Sequence, residues 1–541
     1  MLANVYSAGL IGLNACLFSV QVDECNGLPR SIIVGNVSPS VREGLERAII
    51  ALKNNGFELP PKKITINIQP ADVRKNGTSF DFAILAGMFI ATNVKEYPYH
   101  NYAFLGELGL DGEIKHIPGV LPMTLAMEEA GIEGVFVGKE DEKEALHCKK
   151  LKIIALSSVR EWIKILYPFL IKKPSLNSLE MKLKGRRKIE VKKPCISQNQ
   201  TKKICMGFPP SAKDNKVQKE IADFSDIAGQ EAGIRACVIA ASGMHAMLFS
   251  GPAGSGKSML ARRIPGILPK LSEEEKLEVS KIYSIAGDLS GEEGLLQERP
   301  FRAPHTAISQ NTLLGGMIGG NLVPGELALA TKGVLFLDEL PLFRKETIEA
   351  LRSPLEEKEV VLHRLHQVFS YKVDCILVAA MNPCPCGFFP DRNRCHCTPG
   401  QIRAYQRGIS KPILERIDIS LELPPVPLEN ALGKEKKFSS EELSKQVIEA
   451  RRRQKERFKA EDYIDWNSQM GPTELEKYCF LGKKEEDFMK KVFALKNLSM
   501  RTYHKVLKVA RTIADVEGKE NITIEHLAEA VSYRIVEENL Y

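Results

Sequence analysis

Long apolar runs are missing from this chain. Nowhere do about 18 apolar residues follow one another, the length a helix needs to cross a membrane, so nothing in it reads as a membrane span. Neither sign of charge dominates: 75 Lys and Arg face 68 Asp and Glu, for a net +7. That balance is compatible with a polyanionic partner but does not argue for one. No internal repeat is visible. A cysteine framework is also absent, because eight of the 12 cysteines are scattered, which fits a reducing cytoplasm rather than an oxidised exterior. The apolar opening "MLANVYSAGLIGLNACLFSVQVD" lacks the basic flank of a signal peptide and runs on into alternating "LFSVQV", so it is expected to form the first strands of a domain.

What is present is ordinary globular material: 44% hydrophobic, 26% charged and 7% aromatic residues over 541 positions, enough for three or four structural units. Residues 1–172 alternate strand-like runs ("SIIVGNV", "KITINI", "GVFVG") with helical ones ("VREGLERAIIALKNNG", "FDFAILAGMFIATN"), an α/β or α+β pattern. Residues 173–218 are Lys-rich, poor in aromatics and without sustained period. They read as a solvated linker, with a basic arm on nucleic-acid phosphates as the sharper alternative. Residues 219–427 alternate strands and helices again, and 428–541 turn helical.

The third unit carries the chemistry. "GPAGSGKS" (Gly251, Pro252, Ala253, Gly254, Ser255, Gly256, Lys257, Ser258) follows the apolar "HAMLFS" and precedes the helical "MLARRI", the context of a phosphate-binding loop. Glycines let successive backbone N–H groups turn onto phosphates, and the helix N-terminus adds its positive end. Lys257 is expected to reach the β- and γ-phosphates and Ser258 to offer its hydroxyl to Mg²⁺. "GVLFLDEL" is an apolar strand ending in Asp338, for the metal's water shell, and Glu339, to activate the attacking water. Helix capping is the plain alternative for two acids after a strand, and the loop upstream decides against it. "CILVAAMN" ends another strand at Asn382, where a polar side chain can orient water or sense the γ-phosphate. Arg416 precedes a strand and Arg501 opens an amphipathic helix; alone, each reads as a surface or ion-pair residue.

In this order, with "FRAPHTAIS", "PGELALATKGVLFLDELPLF", "MNPCPCG" and "YHKVLKVARTIAD", the motifs resemble AAA+ ATPases of the magnesium-chelatase-like class, in particular the YifB/ComM family. The resemblance spans nearly the whole chain except the basic linker. It implies an AAA+ core with a helical lid, preceded by a Lon-protease-like (S5-like) α+β domain. It also implies sensor roles for Asn382 and Arg501, and a finger role for Arg416 at the neighbouring subunit's nucleotide, hence a hexamer. Two insertions fit. Lys257 and Asp338 stand 81 positions apart, with a glycine-rich stretch between them that reads as a flexible element. A hairpin around "VLHRLHQVFSYKV" places His363, Arg364 and His366 as candidates for nucleic-acid phosphates, or else in a solvated turn. Thr306 stands where the family commonly has a second histidine, which leaves His305 without a clear role.

Lon-type peptidases pair a serine with a lysine. The resemblance puts Ser79 ("NGTSFDF") in the first slot, but Pro122 ("IPGVLPMT") fills the second, and a serine hydroxyl without a base is a poor nucleophile. The front domain is therefore expected to assemble or engage substrate rather than cut peptide bonds. Beyond Asn382, Cys384, Cys386, Cys395 and Cys397 form two Cys-x-Cys pairs with eight residues between them, and His396 lies inside the second pair. Four thiolates across a short loop can hold structural zinc, His396 being a possible substitute ligand; a metal-free loop of small residues is the alternative. The expected cofactors are ATP and Mg²⁺, with Zn²⁺ at the cysteines. The family resemblance implies a cytoplasmic motor on DNA, driving branch migration in recombination and natural transformation. The rivals are a magnesium-chelatase motor subunit, a Lon-like protease or unfoldase, and a scaffold that uses ATP only to assemble.

Overall fold

The computed structural model describes residues 2–171, 223–289, 294–318, 321–364, 367–426, 438–461, 463–496 and 498–534. The basic segment 173–218 and His366 lie outside them. Among the described residues no helix is long and apolar enough to cross a membrane.

The apolar N-terminus does form strands. Leu2–Ile11 and Asn14–Cys25 pair antiparallel through a two-residue turn, at which Gly12 takes a positive φ of 66°. They sit inside a seven-stranded mixed sheet in the order Arg30–Val34, Lys63–Gln69, Asn14–Cys25, Leu2–Ile11, Tyr102–Phe104, Gly134–Gly138, Lys152–Leu156. One face buries the helices Pro39–Asn54 and Asp81–Asn93. The second of these is apolar on every side because every residue from Asp81 to Ala91 is buried. Helix Val120–Glu129 covers the other face.

The second sheet is parallel throughout: Phe301–Arg302, Val334–Leu337, Ile376–Met381, Met247–Ser250, Ile419–Glu422. The first of these strands in the chain, Met247–Ser250, lies between the last two. A crevice therefore opens at the strand C-termini, where such sheets take their ligands. Helices Glu231–Gly243 and Lys257–Ile267 cover one face and merge with a helical C-terminal part: Ser440–Arg457, Pro472–Tyr478, Lys483–Lys496, Met500–Val516 and Ile524–Ser532. The glycine-rich insertion forms a two-stranded ribbon, Gly315–Ile318 with Asn321–Pro324. Gly315 and Gly325 allow a close backbone approach in it: a Cβ on Gly325 would stand 2.2 Å from Gly315 N. The second insertion pairs Glu359–Arg364 with Gln367–Lys372, which puts His363 and Arg364 at the turn end of the first strand.

The two sheet units touch directly. Gly119 N donates to Ser284 O at 2.9 Å, and Glu144 accepts from both Ser284 Oγ and Leu121 N. At Gly12 a Cβ would lie 2.6 Å from the ring of Phe369, so the N-terminal turn abuts the middle of the second hairpin.

Candidate nucleotide site and the cysteine knot

The loop 251–256 leaves Met247–Ser250 and enters helix Lys257–Ile267 with Gly254 at φ 81° and Gly256 at φ 86°, a conformation that side chains resist. Gly251 is fixed by crowding, since a Cβ there would stand 2.4 Å from Leu423 O. Lys257 is 8% exposed and its ammonium donates to Gly251 O (2.7 Å), Pro252 O (2.8 Å) and Asn382 Oδ1 (3.2 Å). Burial lowers its pKa, against the pull of Asp338 and Glu339. Ser258 Oγ donates to Asp338 Oδ2 at 2.8 Å, so a hydroxyl and a carboxylate already converge, the hard oxygen donors that Mg²⁺ takes. Glu339 follows at φ 54°, a strained left-handed conformation for a non-glycine residue at a strand end. Its side chain is exposed and no hydrogen bond or ion pair engages its carboxylate among the described residues. The structure thus brings Lys257, Ser258, Asp338, Glu339 and Asn382 to one edge of one sheet.

Arg416 and Arg501 meet elsewhere. Arg416, 8% exposed, donates to Arg352 O (3.1 Å), to Pro412 O (2.6 Å) and to the Glu356 carboxylate. Arg501 Nη2 donates to Glu356 Oε1 at 2.6 Å. Burial would raise the Glu356 pKa, but the two arginines outweigh it and hold it low. Neither guanidinium contacts the phosphate loop, Asp338, Glu339 or Asn382 of its own chain. Two residues beyond Arg416, Asp418 accepts from Lys505 Nζ at 2.7 Å and pairs with His245 Nδ1 at 3.0 Å, while His245 Nε2 lies 2.8 Å from Thr512 Oγ1. Burial alone would raise the Asp418 pKa; Lys505 and His245 drive it well below the aspartate range. This buried chain ties the segment carrying Arg416 to the helix carrying Arg501. Sequence patterns did not reveal Glu356, His245 or Lys505, whose partners are remote in the chain.

The four cysteines form a knot. Cys384 Sγ lies 3.3 Å from Cys386 Sγ and 3.7 Å from Cys395 Sγ, and all four sulfurs fall within 4.8 Å of one another. Cys384 and Cys395 are buried, Cys397 half-buried and Cys386 exposed. Phe389 N donates to Cys384 Sγ at 3.4 Å. The backbone N–H of Phe388, before the neighbouring thiols, draws the Cys386 pKa down to about 6. His396 is exposed and stays outside the sulfur group, so the expectation that it could replace a cysteine ligand is not met.

In the N-terminal unit Ser79 is 5% exposed and spends its hydroxyl proton on Ala8 O at 3.0 Å. Pro122 is buried in helix Val120–Glu129. No lysine, histidine or carboxylate contacts the Ser79 hydroxyl among the described residues. His305 Nδ1 accepts Ala307 N at 3.2 Å, a local turn contact.

Three family models match the chain. That described as "Magnesium chelatase, subunit ChlI" matches residues 223–431, "Subunit ChlI of Mg-chelatase" matches 20–141, and "Magnesium chelatase, subunit ChlI C-terminal" matches 437–534. The chain is 35% identical over 539 residues to the uncharacterized protein YifB of Salmonella typhimurium, covering 99% of this chain and 97% of that one. It is 34% identical over 537 residues to competence protein ComM of Haemophilus influenzae, covering 98% and 97%. It is also similar, at 27% identity over 156 residues, to Lon protease 2 of Bacillus subtilis, over 28% of this chain and 27% of that one.

Proposed function

Because the chain belongs to the YifB/ComM family of magnesium-chelatase-like AAA+ ATPases, we propose that it is a cytoplasmic hexameric motor that hydrolyses ATP to drive branch migration of joined DNA during recombination, including the integration of DNA that has been taken up. In this proposal residues 1–172 are a peptidase-dead Lon-like domain, 173–218 a basic linker, 219–427 the ATPase core and 428–541 its lid.

Lys257 holds the β- and γ-phosphate oxygens. Ser258 and Asp338 would hold Mg²⁺, which would supply positive charge to offset that of the phosphates. Glu339, with its carboxylate unengaged, takes the proton of the attacking water, and Asn382 orients that water. Arg416 and Arg501 meet the γ-phosphoryl oxygens of the adjacent subunit. One observation carries this division of labour: both guanidinium groups are gathered on Glu356 and none reaches the phosphate loop of the same chain. A cation that serves hydrolysis from that position serves a neighbour, and a closed ring gives every subunit such a neighbour. His363 and Arg364, at the turn end of strand Glu359–Arg364, are the proposed DNA contacts together with His366, which lies outside the described residues, and Zn²⁺ is the proposed occupant of the cysteine knot.

A chelatase motor would share the nucleotide site; the full-length similarity to YifB and ComM and the similarity to Lon protease 2 favour the other reading. A protease is disfavoured by the Ser79 hydroxyl, already committed to Ala8 O. The test is the ATPase rate with branched, single-stranded and duplex DNA at two salt concentrations. Stimulation that is strongest with branched DNA and falls with salt is expected; indifference to every DNA would sink the motor-on-DNA proposal.

A further inference from the structure

The cysteine knot begins two residues after Asn382, whose Oδ1 touches Lys257. Gly387, inside the knot at φ 81°, lies against the phosphate loop: a Cβ there would be 3.5 Å from Ala253 N, 3.6 Å from Ala253 Cβ and 3.8 Å from Asn382 Cγ. At its far end the knot runs into helix Pro399–Gln406, which Thr398 and Gln401 cap reciprocally, and Gln406 Nε2 reaches back to Pro383 O at 3.3 Å. The knot is therefore a wall of the nucleotide crevice as well as a bridge toward Arg416.

We propose that the knot binds one Zn²⁺ through Cys384, Cys386, Cys395 and Cys397, and that the bound metal shapes the phosphate loop, so that adenine-nucleotide affinity depends on zinc occupancy. The second half rests on the nucleotide reading of the crevice given above.

Three observations support the metal. A tetrahedral site with metal–sulfur bonds of about 2.3 Å has edges of about 3.8 Å. The sulfur separations of 3.3, 3.6 and 3.7 Å approach that edge, and all are far longer than the roughly 2.05 Å of a disulfide. The donor set is all thiolate, which selects a soft or borderline metal over Mg²⁺ or Ca²⁺. Four thiolates around a divalent ion leave two negative charges, and one cation is held at the site: Arg392 Nη1 donates to Cys397 O at 3.1 Å.

The metal is also needed mechanically. The apolar core of the knot is only Cys384, Cys395 and Ile402, with Phe388, Phe389 and Cys397 packed around them. So small a cluster holds a loop weakly, and metal binding supplies the missing folding free energy. Without it Gly387 is free to leave Ala253, and Asn382 loses its anchor two residues downstream. The loop amides and Lys257 then meet phosphate in a broader range of arrangements, which weakens binding.

The experiment uses the full-length chain as purified, stripped by a mercurial with a chelator, and reloaded with Zn²⁺ after thiol reduction. Metal content, zinc X-ray absorption and affinity for a fluorescent ATP analogue are measured on each form. The expected result is one zinc per chain in an all-sulfur shell. Affinity should fall by about tenfold or more on stripping and return on reloading. Far-UV circular dichroism should stay nearly constant, because the two main sheets lie outside the knot. Cys386→Ser should lose zinc and affinity together, whereas Cys16→Ser, at an exposed strand position, should lose neither. Absence of zinc, or zinc loss with unchanged affinity, overturns the proposal. A zinc-loaded chain that binds the analogue in neither form overturns it by a different route, because the nucleotide reading then fails while the metal site stands.

Discussion

Ser79 and Ser258 each follow a glycine-bearing turn and each begin or adjoin a helix. Ser79 lies in the N-terminal core and donates to a backbone carbonyl, Ala8 O, at 3.0 Å. Ser258 lies at the rim of the parallel sheet and donates to a carboxylate, Asp338 Oδ2, at 2.8 Å. The first hydroxyl closes a structural hydrogen bond. The second forms half of an oxygen pair suited to a cation, beside a lysine and an unengaged glutamate. The same contrast runs through both units. The Arg47–Asp81 pair of the N-terminal unit, at 2.7 Å, likewise closes within that unit, whereas the polar groups around Ser258 converge on a crevice. What distinguishes the two serines is the availability of the polar atoms around them rather than their identity.

The sharpest way to break this comparison is through Arg416, which is buried and looks structural by the same criterion. Arg416→Ala should cut ATP turnover by roughly 10³ to 10⁵, the worth of an arginine finger, while analogue binding stays near normal. A ring makes a further demand. Arg416→Ala chains mixed with Lys257→Ala chains should regain partial activity, because each supplies the half-site that the other lacks. Absence of any recovery, in mixtures shown by light scattering to be co-assembled, would return Arg416 to the role of a Glu356 ion-pair partner.

The next effect is smaller and tests the two crevices side by side. Glu339→Gln removes the proposed base and should lower kcat by about 10² to 10⁴ with little change in nucleotide affinity. Ser79→Ala should change neither the ATPase rate nor the signal of a fluorescent-casein assay, in which the wild-type protein is itself expected to be inert. Casein cleavage that Ser79→Ala abolishes would show that the first crevice is alive after all.

The ease with which parts of this molecule can be read from its sequence follows chain distance. The phosphate loop and the Asp338–Glu339 strand are contiguous words with one physical meaning each. The four cysteines are nearly so, and their spacing points to the sulfur cluster that the fold forms. By contrast, Glu356 lies 60 residues from Arg416, His245 lies 173 from Asp418, and Glu144 lies 140 from Ser284. Such partners are chosen by tertiary packing and leave no local signature. The glycine-rich insertion misleads for a related reason. Gly315 and Gly325 permit a close backbone approach between two strands, which in sequence cannot be told from flexibility. Pro122 makes the lack of a base legible, but the fate of the Ser79 proton appears only in three dimensions.

The gentlest test uses acid. In the N-terminal unit burial raises the carboxyls: Asp81 to about 6 against the pull of Arg47, and Asp141 and Glu144 in the same direction. The folded state there binds protons before the unfolded chain does. Its stability should therefore rise as pH falls from about 6 toward the ordinary aspartate value of 3.8. In the second unit Asp418, next to strand Ile419–Glu422 and paired with Lys505 of the helical part, is held low, so its contribution is fully present above that value and is lost as pH drops further. The chain's 2 tryptophans separate the units. Trp162 is buried among Phe82, Phe89 and Phe104. Trp466 lies under Arg451 at 4.3 Å, next to Asn467, which donates to Thr512, the partner of His245. With Trp466→Phe reporting the first unit and Trp162→Phe the second, thermal midpoints followed by fluorescence should diverge. From pH 6 to 4 the Trp162 midpoint should gain on the Trp466 midpoint, and below 4 the Trp466 midpoint should drop first. Parallel curves would mean that the two units unfold as one cooperative body, with the Glu144–Ser284 contact strong enough to hide the opposite titrations on either side of it.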